Sequence, residues 1–252
     1  MKQVRTLEMK FNAFHLFIYL NLSLWTLLPG TGSAETLVAF GDSLTEGCGT
    51  PGSYMWSCGW EYKYPTYPAE LEFFFQGSGW ENSSIAVKNF GKGGETTADG
   101  VNRIDSVLSD PCVPKIDYVL LLQGTNDLFF HQSPATVRFN LEVMIDKIRA
   151  KGARPAIATL TPDPDHPWKD ILLLNDEIRS LAAEKGVLLI DLHTALADDW
   201  YWYTNPPGCY QDQLHPNPAG FRAIASVWYG SLAPLLQKPL IFSWLPLLLG
   251  NP

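Results

Sequence analysis

The sequence predicts an α/β domain in which helices cover both faces of a parallel sheet. Short apolar runs alternate along the chain with longer segments whose apolar residues recur at helical spacing. One run, Tyr118–Leu122, is continuously apolar, which is typical of a strand buried on both faces. Strands and helices that alternate in this way are joined by crossover connections, and such connections give a parallel sheet within a three-layer sandwich.

Three of the predicted helices are bounded by residues of known preference. Pro68 stands at an early position of the first helix, and Gly152 and Gly186 follow the third and fourth helices, where glycine commonly ends a helix. The predicted strands are Leu37–Phe40, Ile85–Phe90, Tyr118–Leu122, Pro155–Leu160 and Val187–Ile190. The predicted helices are Pro68–Phe75, Thr97–Leu108, Pro134–Lys151, Lys169–Lys185 and Ala219–Leu236.

Residues 1–34 have the layout of a secretory signal peptide. Basic residues up to Lys10 precede an apolar run at residues 11–28, and Gly32-Ser33-Ala34 offers small residues for cleavage. Met9 is an alternative start, because a complete signal also begins there. An uncleaved membrane anchor is the other interpretation, although polar residues dilute the apolar run. We expect a cleaved signal and a secreted or periplasmic protein.

The remainder is expected to form one domain, residues 35–238, followed by an apolar tail, residues 239–252. The chain has 252 residues, of which 46% are hydrophobic, and this suits one monomeric domain with an ample core. The tail is too short to span a bilayer, and its role stays open. The formal net charge is −8 at pH 7 without a basic run in the domain, which argues against nucleic acid as a partner.

Four cysteines lie beyond the leader, and an even number in an exported protein favours two disulfides. Three pairings are open. We favour Cys48–Cys58 within one loop and Cys112–Cys209 between distant loops. A zinc site is the alternative, but the sequence has no Cys-x-x-Cys pair.

The segment Leu37–Gly47 carries the first functional motif. Gly41 allows a sharp turn at the end of the predicted strand, and Ser43 then lies above the carboxyl edge of the sheet, where open α/β folds bind substrates. The residues Gly41-Asp42-Ser43-Leu44 resemble the signature of the SGNH (GDSL) hydrolases, a family named for a Ser, a Gly, an Asn and a His in four separate blocks. The resemblance implies a flavodoxin-like sheet with Ser43 as the nucleophile. A helix-capping serine is the alternative.

The second block is a glycine-rich turn, Asn89–Thr97, after the second predicted strand. Backbone N–H groups that converge in such a turn stabilise an oxyanion. The resemblance implies that Gly94 supplies the oxyanion N–H, with Gly93 as the alternative, and that the N–H of Ser43 supplies another. A plain turn without a catalytic role is also open.

The third and fourth blocks follow the third strand and precede the last helix. Asn126, in Gly124-Thr125-Asn126-Asp127, takes the position of the family's side-chain oxyanion donor, and Asp127 is expected to fix the loop through backbone hydrogen bonds. Asp212 and His215 are three residues apart, so that the carboxylate is able to hold the imidazole in the tautomer that accepts the serine proton. A metal pair or a solvated loop is the alternative.

Together the blocks predict a carboxylic ester hydrolase with a Ser43, His215 and Asp212 triad, and with neither metal nor cofactor. The resemblance is strongest to small secreted arylesterases, thioesterases and lysophospholipase-like enzymes. It implies a small-molecule or lipid ester as substrate, and transient contact with a membrane surface. The long loop at Cys48–Tyr67 departs from the most compact members.

Three alternatives remain at this stage. One is a carbohydrate O-deacetylase of the same family. Another is a metal-dependent phosphoesterase that uses Asp42, Asn126, Asp212 and His215 as ligands. The third is a non-catalytic carbohydrate-binding module built on the aromatic stretch at residues 200–203.

The aromatic stretch has two interpretations within the esterase prediction. Its rings wall the substrate pocket, in which case Trp200 and Trp202 contact the substrate, or at least two of its four rings pack within the domain.

Overall fold

The computed structural model describes residues 35–47, 66–77, 85–163, 168–205 and 212–236. Its strands are β1 (Thr36–Gly41), β2 (Ala86–Gly91), β3 (Tyr118–Leu122), β4 (Arg154–Ala158) and β5 (Leu188–Ile190). Its longer helices are α2 (Tyr67–Gly77), α3 (Thr97–Val107), α5 (Pro134–Ala150), α6 (Trp168–Lys185) and α9 (Pro218–Leu236). Its short helices are α1 (Ser43–Glu46), α4 (Thr125–Phe129), α7 (Leu192–Leu196) and α8 (Trp200–Thr204).

The strands of the described residues form one sheet in the order β2-β1-β3-β4-β5, and every neighbouring pair is parallel. This confirms the predicted flavodoxin-like order, in which the direction of winding reverses between β1 and β3. Gly41, the last residue of β1, lies opposite Gly91 of β2 and Leu122 of β3. The segments that follow these three strands therefore leave the sheet at the same edge.

Two hydrophobic clusters, one on each face of the sheet, form the core. Alternate residues of β1 belong to different clusters: Leu37 and Ala39 pack in the first, and Val38 and Phe40 pack in the second. Helices α2 and α9 contribute to the first cluster, and α3, α5 and α6 to the second. Strands whose side chains are buried on both faces require helices on both sides, so the predicted three layers are confirmed.

The boundaries predicted from the sequence are correct to within about two residues. Strand β4 ends at Ala158, although the apolar run suggested a strand as far as Leu160. The backbone N–H of Leu160 donates to the side chain of Asn175 at 2.8 Å and so leaves the ladder. The short helices α1, α4, α7 and α8 were not predicted, because four or five residues are too few to show a helical period.

Several predictions fall outside the described residues. They are the signal peptide at residues 1–34, the tail at 239–252, and Cys48, Cys58 and Cys209. Cys112 is described and is disulfide-bonded, but the predicted pairing is not tested. In the part of the chain that the structure describes, no helix is long and apolar enough to cross a membrane.

Candidate active site

Ser43 is the first residue of α1, directly beyond the carboxyl end of β1. Asp42 caps this helix, since its Oδ1 accepts a hydrogen bond from the backbone N–H of Leu44 at 3.0 Å. The helix begins so close to the sheet that a Cβ atom on Gly41 would lie 2.1 Å from the carbonyl oxygen of Leu122. Glycine is therefore required at the turn that places Ser43 above the sheet edge.

Helix α1 also packs against the end of β2. A Cβ atom on Gly91 would lie 2.0 Å from the backbone nitrogen of Glu46. The side-chain amide of Asn89 donates to the carbonyl oxygen of Thr45 at 2.8 Å. The two contacts fix the short helix on β2, so Ser43 has a defined position relative to the turn that follows that strand.

Ser43, His215 and Asp212 form a continuous chain of hydrogen bonds. The Oγ of Ser43 lies 2.8 Å from Nε2 of His215, and Nδ1 of His215 lies 2.7 Å from Oδ2 of Asp212. A carboxylate accepts, so Nδ1 carries the proton and Nε2 accepts from the serine hydroxyl. The His215 side chain is 12% exposed and that of Asp212 is 36% exposed.

The Asp212 carboxylate is held within its own loop. Its Oδ1 accepts hydrogen bonds from the backbone N–H groups of Leu214 at 3.1 Å and His215 at 2.7 Å. One oxygen thus organises the backbone while the other orients the imidazole. The three-residue spacing is sufficient for both tasks.

The turn after β2 spans Lys92 to Glu95 and is closed by a hydrogen bond of 3.2 Å from the N–H of Glu95 to the carbonyl of Lys92. Gly94 has a φ of +75°, as the third residue of a type II turn requires. The N–H of Gly93 donates to Oε2 of Glu46 at 2.9 Å. Among the described residues, by contrast, no group accepts a hydrogen bond from the N–H of Gly94. Because the N–H of Gly93 is already bonded, this difference favours Gly94 over Gly93 as an oxyanion donor.

Asn126 lies on α4, just after β3, and its amide meets the same turn. Its Nδ2 donates to the carbonyl of Glu95 at 3.0 Å. The neighbouring Asp127 accepts from both the N–H and the hydroxyl of Thr97, at 2.8 Å and 2.6 Å. Asp127 thus fixes the loop through a backbone bond, as expected, and a side-chain bond adds to it. The second and third sequence blocks lie side by side.

Comparison with known proteins assigns this site to a family. A family model described as GDSL-like lipase/acylhydrolase matches residues 39–223. The chain belongs to this family. An arylesterase of Vibrio mimicus is 27% identical over 200 residues, which cover 79% of this chain and 89% of that protein. The esterase TesA of Pseudomonas aeruginosa is 26% identical over 164 residues, which cover 65% of this chain and 73% of that protein.

A solved structure agrees with this assignment. The lipase/acylhydrolase from Enterococcus faecalis has a TM-score of 0.61 and 25% identity, and covers 81% of this chain and 97% of its own. The resemblance predicted from the sequence is confirmed, and with it the predicted class of enzyme, a carboxylic ester hydrolase.

A largely buried ion pair anchors the turn that follows β2. Glu95 is 3% exposed, and Arg103 of α3 binds both of its carboxylate oxygens. Gln123 donates to the same carboxylate at 3.2 Å. Arg103 also donates to the carbonyl of Gly41 at 3.4 Å, which ties β1 to the turn. Sequence reasoning missed this network, because only the fold brings these residues together.

Asp42, the residue directly before Ser43, carries a buried carboxyl group. It is 1% exposed, and its Oδ2 has no hydrogen-bond partner among the described residues. Burial, opposed by the hydrogen bond from the N–H of Leu44 and assisted by the charges of Asp127 and Glu95, raises the pKa of Asp42 to about 7. The carboxyl is therefore neutral between about pH 4 and pH 7, where an ordinary aspartate is charged.

The four ligands of the metal-dependent alternative are not arranged as a metal site. Both ring nitrogens of His215 are engaged by Ser43 and Asp212. Over the described ranges, no three His, Cys, Asp or Glu side chains come close enough to hold one ion. The contacts favour the serine arrangement.

The two tryptophans predicted near the substrate lie in different environments. Trp200 is 3% exposed within the core, and its indole N–H donates to the carbonyl of Gln213 at 3.1 Å. Trp202 is 65% exposed, and its ring contacts that of Tyr201 edge-on. Trp200 therefore supports the loop between Asp212 and His215, and Trp202 presents its ring to solvent. Tyr203 packs against the core.

Proposed function

We propose that this acylhydrolase is a secreted serine esterase that cleaves carboxylic esters through Ser43, His215 and Asp212. The observation that supports it is the continuous hydrogen-bond chain from the Ser43 hydroxyl through the imidazole to the Asp212 carboxylate. Nucleophile, base and orienting group stand in the order that acyl transfer requires.

In the first step, the Oγ of Ser43 attacks the ester carbonyl carbon while its proton passes to Nε2 of His215. Asp212 stabilises the resulting imidazolium and keeps the ring in place through Nδ1. The carbonyl oxygen becomes an oxyanion. The proposed donors to this oxyanion are the backbone N–H groups of Ser43 and Gly94 and the side-chain amide of Asn126.

In the second step, the tetrahedral intermediate collapses, the C–O bond to the alcohol breaks, and His215 returns its proton to the leaving alkoxide. Water then attacks the acyl-enzyme with His215 again as the base. Release of the acid restores the Ser43 hydroxyl. Every proton in the cycle moves between Ser43, His215, the alcohol and water.

The proposed substrates are small carboxylic esters, and the proposal includes thioesters and lysophospholipids. The relatives named as an arylesterase and as esterase TesA support an ester substrate. The leader at residues 1–34 and an even number of cysteines support export and two disulfides. Mass spectrometry of the secreted protein should find Glu35 at the amino terminus and no alkylatable thiol.

A panel of p-nitrophenyl esters of rising acyl length tests the proposal. Ser43→Ala should lower kcat by a factor of about 10³ or more, since the nucleophile itself is removed. The control is Ser180→Ala, which changes an exposed serine of α6 and should leave kcat unchanged. Activity of the Ser43→Ala enzyme within tenfold of wild type would contradict the serine mechanism. Loss of activity in EDTA, restored by a divalent ion, would favour the phosphoesterase.

A further inference from the structure

We propose that Glu46 is a positioning residue that sets the distance between the two backbone donors of the oxyanion hole. The inference rests on the proposed function. Glu46 is the last residue of α1, the helix that begins at Ser43, and it lies one turn further on. Its Oε2 accepts the N–H of Gly93 at 2.9 Å. A single side chain thus connects the helix of one donor, Ser43, to the residue beside the other, Gly94.

The turn lies close against α1 at this point. A Cβ atom added to Gly93 would lie 2.6 Å from Oε2 of Glu46 and 3.8 Å from Cβ of Ser43. The glycine therefore lets the carboxylate reach the backbone, and even a methyl group added here would be in van der Waals contact with Ser43.

The turn needs such a contact because its own residues are permissive. Gly93 and Gly94 occupy its two central positions and are exposed, and glycine pairs sample many backbone conformations at low cost. The flanking residues are held: the N–H of Lys92 donates to the carbonyl of Gly41 at 2.9 Å, and Glu95 is buried with Arg103. Over the described residues, the Glu46 carboxylate accepts the N–H of Gly93, and it is the side-chain contact that holds this glycine pair.

The orientation of the peptide between Gly93 and Gly94 decides whether its N–H is able to donate to an oxyanion. Type I and type II turns differ by a rotation of the central peptide, which exchanges its N–H for its carbonyl oxygen on a given side. A donor in that place stabilises the developing negative charge, and a displaced donor loses most of this effect. By tying Gly93 to α1, Glu46 keeps the pair at a fixed distance from Ser43.

Steady-state kinetics on an activated ester test this role with two substitutions. Glu46→Ala removes the acceptor and should lower kcat about tenfold or more, less than the 10²–10³ expected for loss of a whole donor, with KM nearly unchanged. Glu46→Gln keeps an oxygen at the same reach without the charge, and should stay within about threefold of wild type. The melting temperature should change little in either variant, because the bond is exposed to solvent.

A double-mutant cycle gives an independent readout. Gly93→Ala pushes a methyl group onto Oε2 of Glu46 and should also lower kcat. If both substitutions break the same contact, the double variant should be no slower than the slower single variant. Glu142→Ala is the matched control, since this glutamate pairs with Lys185 on the far helices and should not affect kcat.

Three results would overturn the role of Glu46. They are a kcat for Glu46→Ala within threefold of wild type, an effect confined to KM, and equal losses in Glu46→Ala and Glu46→Gln. The last would assign the effect to charge and not to the hydrogen bond. If Ser43→Ala kept its activity, the proposed function itself would fail, and the role of Glu46, which rests on it, would fail with it.

Discussion

The two sides of the active site are built in different ways. On the side of the proposed base, here called the base side, Asp212 is held by N–H groups only two and three residues away, and its carboxylate is 36% exposed. On the side of the proposed oxyanion donors, here called the oxyanion side, Asn126 reaches Glu95 across 31 residues and Asp127 reaches Thr97 across 30. The base side is thus a local motif, and the oxyanion side is a junction between strand ends.

This difference has an energetic consequence. A local, partly exposed loop contributes little to the free energy of unfolding, so a change there should affect catalysis alone. Glu95 and Asp127 are 3% and 1% exposed, and buried polar groups that lose a partner are costly. Changes on the oxyanion side should therefore reduce stability and catalysis together.

Asp212→Asn should give the largest separation of activity from stability. The side-chain oxygen is still able to accept the two backbone N–H groups, but the amide donates to Nδ1 and forces the wrong tautomer of His215. We expect kcat to fall about 10⁴-fold and the urea midpoint to stay the same. A fall in the midpoint that parallels the activity would show that the loop is not energetically local.

Arg103→Met should have the opposite profile. It leaves the buried Glu95 carboxylate without its main partner, and we expect a loss of about 3–5 kcal/mol in the free energy of unfolding, measured with urea. The control is Arg138→Met, which leaves the solvent-exposed carboxylates of Glu177 and Glu184 without this partner and should cost no more than about 1 kcal/mol. Adding Glu95→Gln to Arg103→Met should recover part of the loss.

Asn126→Ala tests a residue that has both a proposed catalytic role and a structural hydrogen bond. It removes the proposed side-chain donor and also the bond to the Glu95 carbonyl. We expect kcat to fall about 10²–10³-fold with KM nearly constant, because the donor acts mainly in the transition state. A change in KM alone would assign Asn126 to substrate binding.

Trp202→Ala should have the smallest effect. Its ring is exposed, so stability should be unchanged, and a contact with the acyl chain should alter the preference between short and long esters by about 1–3 kcal/mol. Trp200→Ala, in contrast, should cost about 3–5 kcal/mol of stability, because that ring is in the core. An unchanged chain-length profile for Trp202→Ala would remove it from the pocket.

The same contrast explains what the sequence could predict. The side chains of Asp212 and His215 are in contact, as a spacing of three residues allows. The strands and long helices were found from their apolar periods, and the parallel order followed from their alternation. These inferences need only neighbouring residues or a regular pattern.

The remaining features depend on tertiary contacts. Nothing in the spacing of Glu95, Arg103 and Gln123 indicates a shared buried site, since Gln123 reaches Glu95 across 28 residues. Gly94 is preferred to Gly93 as the proposed oxyanion donor because the N–H of Gly93 is bonded to Glu46, which comes 47 residues earlier in the chain. Trp200 and Trp202 were equivalent in the sequence, and only the packing of α8 separates them.

Protonation of the buried Asp42 carboxyl is coupled to the stability of the folded state. Its pKa is raised to about 7 in the native protein, against about 4 in the unfolded chain, so the native state binds this proton more tightly. This contribution to stability is fully present below pH 4 and is lost as the pH rises through about 7. Between pH 5 and pH 8 the wild type should therefore lose, relative to Asp42→Asn, on the order of a few kcal/mol of unfolding free energy in urea titrations. Parallel pH profiles for the two proteins would show that Asp42 is already charged at pH 5. The residue that caps α1 is thus expected to stabilise the folded domain more at pH 5 than at pH 8.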